Sequence, residues 1–216
     1  MQVFAALVIL LTPAVAPLFA CPIGKAKNTK EIPLQDGMLK LGTLQVTAKN
    51  QDPVVAFYRE NKLVFCSADY DTSPVDARAV AATADKDHVY VVFTADGGSN
   101  HAQSFARFTR GGWLPSYGAG GGPKVLVVLK IQKADGKAVA GTYLTAKKKD
   151  GKTNSLAIKK IQFANNAVEI NADAWYSPLQ VDKKPFECSG SSPFAYTIRL
   201  SADLKTVLAA SAPACR

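Results

Sequence analysis

Lys124-Val125-Leu126-Val127-Val128-Leu129-Lys130-Ile131-Gln132 runs into Ala134-Asp135-Gly136-Lys137 and leaves through Ala138-Val139-Ala140-Gly141-Thr142-Tyr143-Leu144. Its first part is an apolar, β-branched run of strand length. Asp-Gly then turns the chain, because both residues tolerate the backbone angles of a tight turn. The second part is again strand-like. Downstream the same grammar continues through Ser155-Leu156-Ala157-Ile158, Asn165-Asn166 and Ala167-Val168-Glu169-Ile170.

Working outward, a closing phrase recurs. Thr47-Ala48, Thr94-Ala95-Asp96 and Asn171-Ala172-Asp173 each end a β-like run. Each is followed, after a loop, by another apolar run: 53–58, 104–108 and 193–198. Helical periodicity is nearly absent. Residues 74–84 can be read as a short helix capped by Ser73, although the alternation Ala77-Arg78-Ala79-Val80-Ala81 suits a strand equally. The pattern predicts strands at 39–48, 54–59, 62–67, 77–83, 88–95, 104–109, 124–132, 138–145, 155–163, 167–172, 194–201 and 205–210, about twelve in all. Turn residues separate them, among them Glu60-Asn61, Asp150-Gly151 and Asn165-Asn166. No break in composition divides the chain, so 21–216 reads as one domain.

The order of these units resembles the seven-bladed β-propeller repeat of secreted and surface proteins. The match is best over 124–173, with degenerate copies from Val54 to Val92 and from Phe194 to Ala210. Thr145-Ala146 stands where that family carries a double glycine after Thr-Tyr-Leu. The resemblance implies an all-β fold of repeated antiparallel sheets, a small or incomplete propeller, with a β-sandwich as the alternative. About twelve strands make three blades of four, below the usual four to eight. A ring-closing blade split between the termini would pair 39–48 with the unit begun at Phe194. Closure with partner chains would be another way to bury exposed blades.

Residues 1–20 read as a signal peptide. Val3 to Leu11 forms a short apolar core, and cleavage before Cys21 leaves a mature chain of about 196 residues. The expected location is extracellular. Leu18-Phe19-Ala20-Cys21 also offers a lipid anchor at Cys21 as an alternative. No later run is long enough to span a bilayer. Cys21, Cys66, Cys188 and Cys215 allow three pairings. The pairing of choice is Cys21 with Cys66 and Cys188 with Cys215, and the wide spacing argues against zinc.

The net charge is +9. Lysines cluster at 147–149 with 152, at 159–160, at 183–184, and at 25, 27 and 30. Outside a cell the matching polyanions are acidic polysaccharides and anionic surfaces, and nucleic acid is not expected. The plainer reading is a set of solvated turns. The loop 111–123 carries Trp113 and Tyr117, with Arg107 and Arg110 just before it. Exposed aromatics beside cations suit acidic sugars, since ring faces stack and arginine forks an anion. Trp175 and Tyr176 precede another long loop, and the two loops would form one ligand patch if they met. The competing reading makes these rings core plugs. Gly118–Gly122 lacks the Gly-Lys-Ser/Thr of a phosphate loop. His101, with Ser99 or Ser104 and Asp96, is a candidate hydrolase triad without a nucleophile elbow. Neither histidine has a ligand partner at metal spacing, and no cofactor motif appears.

These observations favour a secreted, non-enzymatic binding module for an acidic glycan or another exported protein. The alternatives are an assembly protein that self-associates through unpaired sheet edges, and a secreted hydrolase using His101.

Overall fold

A computed structural model describes residues 21–96, 101–118 and 124–216. The signal-peptide reading of 1–20, with its lipid-anchor alternative, lies outside those residues, as do Ser99 and residues 119–123 of the glycine-rich loop.

The described part opens with a 3-10 turn, Pro22–Lys25, and then builds three four-stranded antiparallel sheets in succession. The first contains β1 (Lys27–Leu34), β2 (Gly37–Thr47), β3 (Asn50–Arg59) and β4 (Lys62–Ser67). The second contains β5 (Ala77–Ala84), β6 (His88–Asp96), β7 (Lys124–Gln132) and β8 (Ala138–Leu144), with α1 (Ala106–Thr109) inserted after β6. Two short strands follow, β9 (Ala146–Lys147) and β10 (Thr153–Asn154). The third sheet is β11 (Leu156–Ala164), β12 (Ala167–Ala174), β14 (Phe194–Ser201) and β15 (Val207–Ser211). Between β12 and β14, β13 (Ser177–Pro178) pairs with β9, which also holds β10, to make a small separate sheet.

The recurring phrase has a structural meaning. Thr47, Thr94-Ala95-Asp96 and Asn171-Ala172-Asp173 lie at or near the ends of β2, β6 and β12, the second strand of each sheet. Hairpins of the expected kind join the strands. Glu60-Asn61 and Asn165-Asn166 both adopt positive φ, as two-residue turns of this hand require.

The second sheet lies between the other two. Val89, Val91 and Phe93 of β6, with Val125, Val127 and Leu129 of β7, pack towards Leu39, Leu41, Val55 and Phe57 of the first sheet. Tyr90, Val92, Leu126 and Val128 face the other way, against Val168, Ile170, Tyr196 and Ile198 of the third. Burial on both faces explains why 125–129 is an unbroken apolar run rather than an alternating one. The first strands of the sheets also approach one another, as inner strands of blades do. The Lys30 ammonium donates to the Val80 carbonyl at 2.9 Å, and the Phe163 N–H donates to Thr83 Oγ1 at 3.1 Å.

The two outer faces are finished differently. Ile23 covers Val54 and Ala56 on the first sheet, tied down by the Cys21–Cys66 disulfide. On the third sheet Gln162 bonds Glu169, Thr197 bonds Asn171, and Lys159 pairs with Asp173, which makes that face polar. The fold is therefore a propeller-like stack of three sheets.

Three expectations need correction. Strand 39–48 does not complete the unit begun at Phe194: β2 pairs with β1 and β3, and the third sheet is complete without it. Residues 104–109 are not a strand: Ser104 and Phe105 lead into α1 (Ala106–Thr109). Ser104 accepts from the Ala106 N–H, and Phe105 drops into the core against Phe93 at 4.9 Å. The helical alternative for 74–84 gives way to β5.

Candidate functional site

β9 and β13 each span two residues, yet their pairing decides the surface. Ser177 stands opposite Lys147, and Pro178 opposite Ala146. That register carries the β9–β10 turn, with Lys148 and Lys149, alongside residues 183–188. A groove of about 670 Å³ results, lined by Lys147, Lys148, Lys149, Lys183, Lys184, Phe186 and Glu187 among others. Five lysines face one glutamate, so the groove is a focus of positive potential. Lys184 lies 3.3 Å from Asp182 and, beside the groove, Lys152 lies 3.4 Å from Asp150. Such exposed pairs are weak and open readily to a competing anion. Lys148, Lys149 and Lys183 form no ion pair among the described residues. Lys147 is different in kind. Its ammonium donates to the Tyr117 carbonyl at 2.8 Å and to Thr153 Oγ1 at 2.9 Å, and burial pushes its pKa down.

The sequence-predicted aromatics divide into two pairs. Trp175 and Tyr176 are each 42% exposed; Tyr176 stands beside the groove, with the Lys148 ammonium 5.9 Å from its ring centre, and Trp175 precedes it in the chain. Trp113 is only 4% exposed and Tyr117 is buried as well. Their rings are not stacking platforms; Trp113 packs in the core between the second and third sheets, and Tyr117 stands edge-on to Tyr143 at 5.2 Å. The two long loops do meet, though through these buried residues. The Trp113 indole N–H donates to the Val181 carbonyl at 3.1 Å, and the Tyr117 carbonyl receives Lys147 and Thr153. Both residues thus hold the frame on which the groove is mounted.

Neither arginine lines the groove. Arg107 donates to the Asp69 carbonyl, lies 3.2 Å from Asp69 Oδ1, and stacks 4.7 Å above the Phe108 ring. Arg110 is exposed at the end of α1. His101 Nδ1 lies 2.8 Å from Gln103 Oε1, while the Ser104 hydroxyl donates to the main-chain oxygen of His101 rather than to its ring. The Cys21–Cys66 and Cys188–Cys215 disulfides form as expected, and the second borders the groove. Two disulfides fit an oxidising compartment. No helix among the described residues is long and apolar enough to cross a membrane.

A larger cleft of about 1050 Å³ opens where β1, β5 and β11 converge. Its charges balance: Arg59, Lys86 and Lys133 against Asp36, Asp85 and Asp87. The buried Lys133 ammonium lies 2.7 Å from Asp36 Oδ1, and Arg59 lies 3.0 Å from Oδ2. Burial raises the Asp36 pKa, but these two donors outweigh it and the carboxyl titrates below its usual range. This arrangement is a structural lock.

Asp52, on β3, is the most perturbed carboxyl. Burial pushes its pKa up to about 6, against the Asn50 amide that donates to it at 3.0 Å, and Asp71 and Asp76 add repulsion. Its unfolded value lies near 3.8. The folded state therefore holds the proton more tightly, and stability falls as pH rises from about 4 to about 6, then stays lower. Asp52→Asn removes that penalty. Its Tm should exceed the parent's at pH 8, by roughly 1–3 kcal/mol of stability, and match it near pH 4, as paired melting curves would show.

No family model matches the chain, and no curated protein matches it. Among solved structures, BamB from Moraxella catarrhalis is similar over 86% of this chain and 76% of its own, at 8% identity and a TM-score of 0.21. At that level the likeness bears on neither fold nor function.

Proposed function

We propose that the protein is a secreted, non-enzymatic binding module that holds an acidic polysaccharide in the lysine groove. The carrying observation is the convergence of two lysine clusters, 147–149 and 183–184, on one concave surface with a single glutamate. Ammonium groups on flexible stems suit a chain of repeated negative charges, which needs neutralisation more than one fixed geometry. Trp175 and Tyr176 supply faces for sugar rings at the groove's edge.

The test is retention on immobilised heparin and on an immobilised polyuronate. The parent should elute only at raised salt, because the contacts are screened. The triple variant Lys148→Glu, Lys149→Glu, Lys183→Glu should lose affinity by about 100-fold or more, at roughly 1 kcal/mol or more for each lysine reversed. All three side chains reach solvent, so an unchanged circular dichroism spectrum is expected alongside. Equal retention of parent and variant would remove the groove from the reading. Oligomers that form with concentration, without retention on either column, would favour assembly instead.

A further inference from the structure

Large apolar side chains exposed among the described residues are few: Val46, Leu63, Val139, Trp175, Tyr176, Val181 and Leu208. Single ones are ordinary on any protein surface, but clusters are not. Trp175, Tyr176 and Val181 sit within one loop, and that loop also carries Lys183 and Lys184. Their exposure does not come from a loose segment. The Tyr196 hydroxyl donates to the Leu179 carbonyl at 2.7 Å, the Phe186 N–H to the Pro178 carbonyl at 2.8 Å, and the Trp113 indole to the Val181 carbonyl. Across the turn, the Gln180 N–H donates to the Lys184 carbonyl at 2.8 Å and the Lys183 N–H to the Gln180 carbonyl at 3.0 Å. The fold holds apolar groups out in water on a fixed platform.

We infer that this rim docks the protein on an anionic lipid bilayer, with the groove lysines on the headgroup phosphates and Trp175, Tyr176 and Val181 entering the interface. The inference rests on the groove being the polyanion site, and it names the surface that presents the charge. Tryptophan and tyrosine favour the headgroup level, where one end of the ring is apolar and the other wet. Lysine stems lie along apolar surface while their ammonium groups reach outward. Val181, 48% exposed, is the discriminating residue. An aliphatic side chain gives nothing to a soluble polyanion, yet it is favoured wherever water is left behind. Because the platform is already ordered, docking loses little conformational entropy.

The test uses vesicles of phosphatidylcholine alone and vesicles with about 30 mol% phosphatidylglycerol, a stated anionic surface. The protein should sediment with the second and not with the first. Trp113 is buried, so iodide-quenchable fluorescence belongs to Trp175, and vesicles should shield it and shift the emission to the blue. Val181→Ser, which removes the aliphatic surface without adding charge, should weaken vesicle binding about fivefold or more, while elution from heparin stays unchanged. The triple lysine variant should lose both. Heparin retention without binding to anionic vesicles, or vesicle binding untouched by Val181→Ser, would overturn the inference and leave the polysaccharide reading standing. Loss of both activities in the parent would overturn both.

Discussion

Phe93→Ala is expected to lower stability by about 3–5 kcal/mol, the range for removing a fully buried ring from a packed core. Phe93 has no exposed surface, and it links three elements. Its ring centre is 5.6 Å from that of Tyr70 and 4.9 Å from that of Phe105. On β6 it pairs in register with Ala79 and Val127. Tyr70 is fixed in turn, its hydroxyl donating to the Gly136 carbonyl at 2.8 Å. Truncation leaves a void whose walls cannot collapse, because strands hold two sides and hydrogen-bonded loops the others. For a chain of this size the loss corresponds to a fall in Tm of roughly 6–20 °C. Denaturant unfolding should show a lower midpoint with an unchanged slope. Leu208→Ala is the control: its side chain is 50% exposed, and the change should stay within about 0.5 kcal/mol. A loss under about 1 kcal/mol for Phe93→Ala would mean that the second sheet is not the centre of the molecule.

The strands around Phe93 were legible because burial on both faces leaves a continuous apolar signature, as at Val89–Phe93 and Val125–Leu129. The β7 range, the β4 range and the β14 range match the sequence reading to the residue. β1 gave no such signal. Its residues Lys27-Asn28-Thr29-Lys30-Glu31 are exposed, and only pairing with β2 makes them a strand. The run at 104–109 misled because two phenylalanines close together fit a strand or a turn of helix equally, and the hydrogen bonds of Ser104 decide the matter. The candidate site was half visible. Both lysine clusters and the pair Trp175-Tyr176 stand out in the sequence, but nothing local states that 147–149 and 183–184 meet. That follows from β9 and β13, which are too short to carry any periodicity. Trp113 and Tyr117 resemble ligand aromatics in sequence because they lie on a long loop just after Arg107 and Arg110. Gly112 instead serves close approach. A Cβ on Gly112 would lie 2.0 Å from the Gly141 carbonyl oxygen, so the chain can seat Trp113 in the core only with glycine there.

Reducing both disulfides is expected to cost more than any single substitution. Cys21–Cys66 spans a separation of 45 residues and Cys188–Cys215 one of 27. The loop-entropy relation puts their contributions at about 4 and about 3.5 kcal/mol. Their sum is comparable to the whole stability of an ordinary domain, about 5–15 kcal/mol. The reduced protein should therefore melt far below the oxidised one, and partial unfolding at 37 °C should be visible in near-ultraviolet circular dichroism. The two bonds should also separate by function. Cys21–Cys66 ties the first turn over Val54 and Ala56, at the opposite end of the stack from the groove. Cys188–Cys215 fixes the segment that carries Lys183 and Lys184, helped by the reciprocal main-chain bonds of Glu187 and Arg216 at 2.7 and 2.9 Å. Cys21→Ser with Cys66→Ser should lower Tm and leave elution from heparin unchanged. Cys188→Ser with Cys215→Ser should lower Tm by a similar amount and also bring elution to lower salt, because the lysines it frees must be ordered again when the ligand binds. Equal elution of the two variants would show that the groove wall stands without its crosslink.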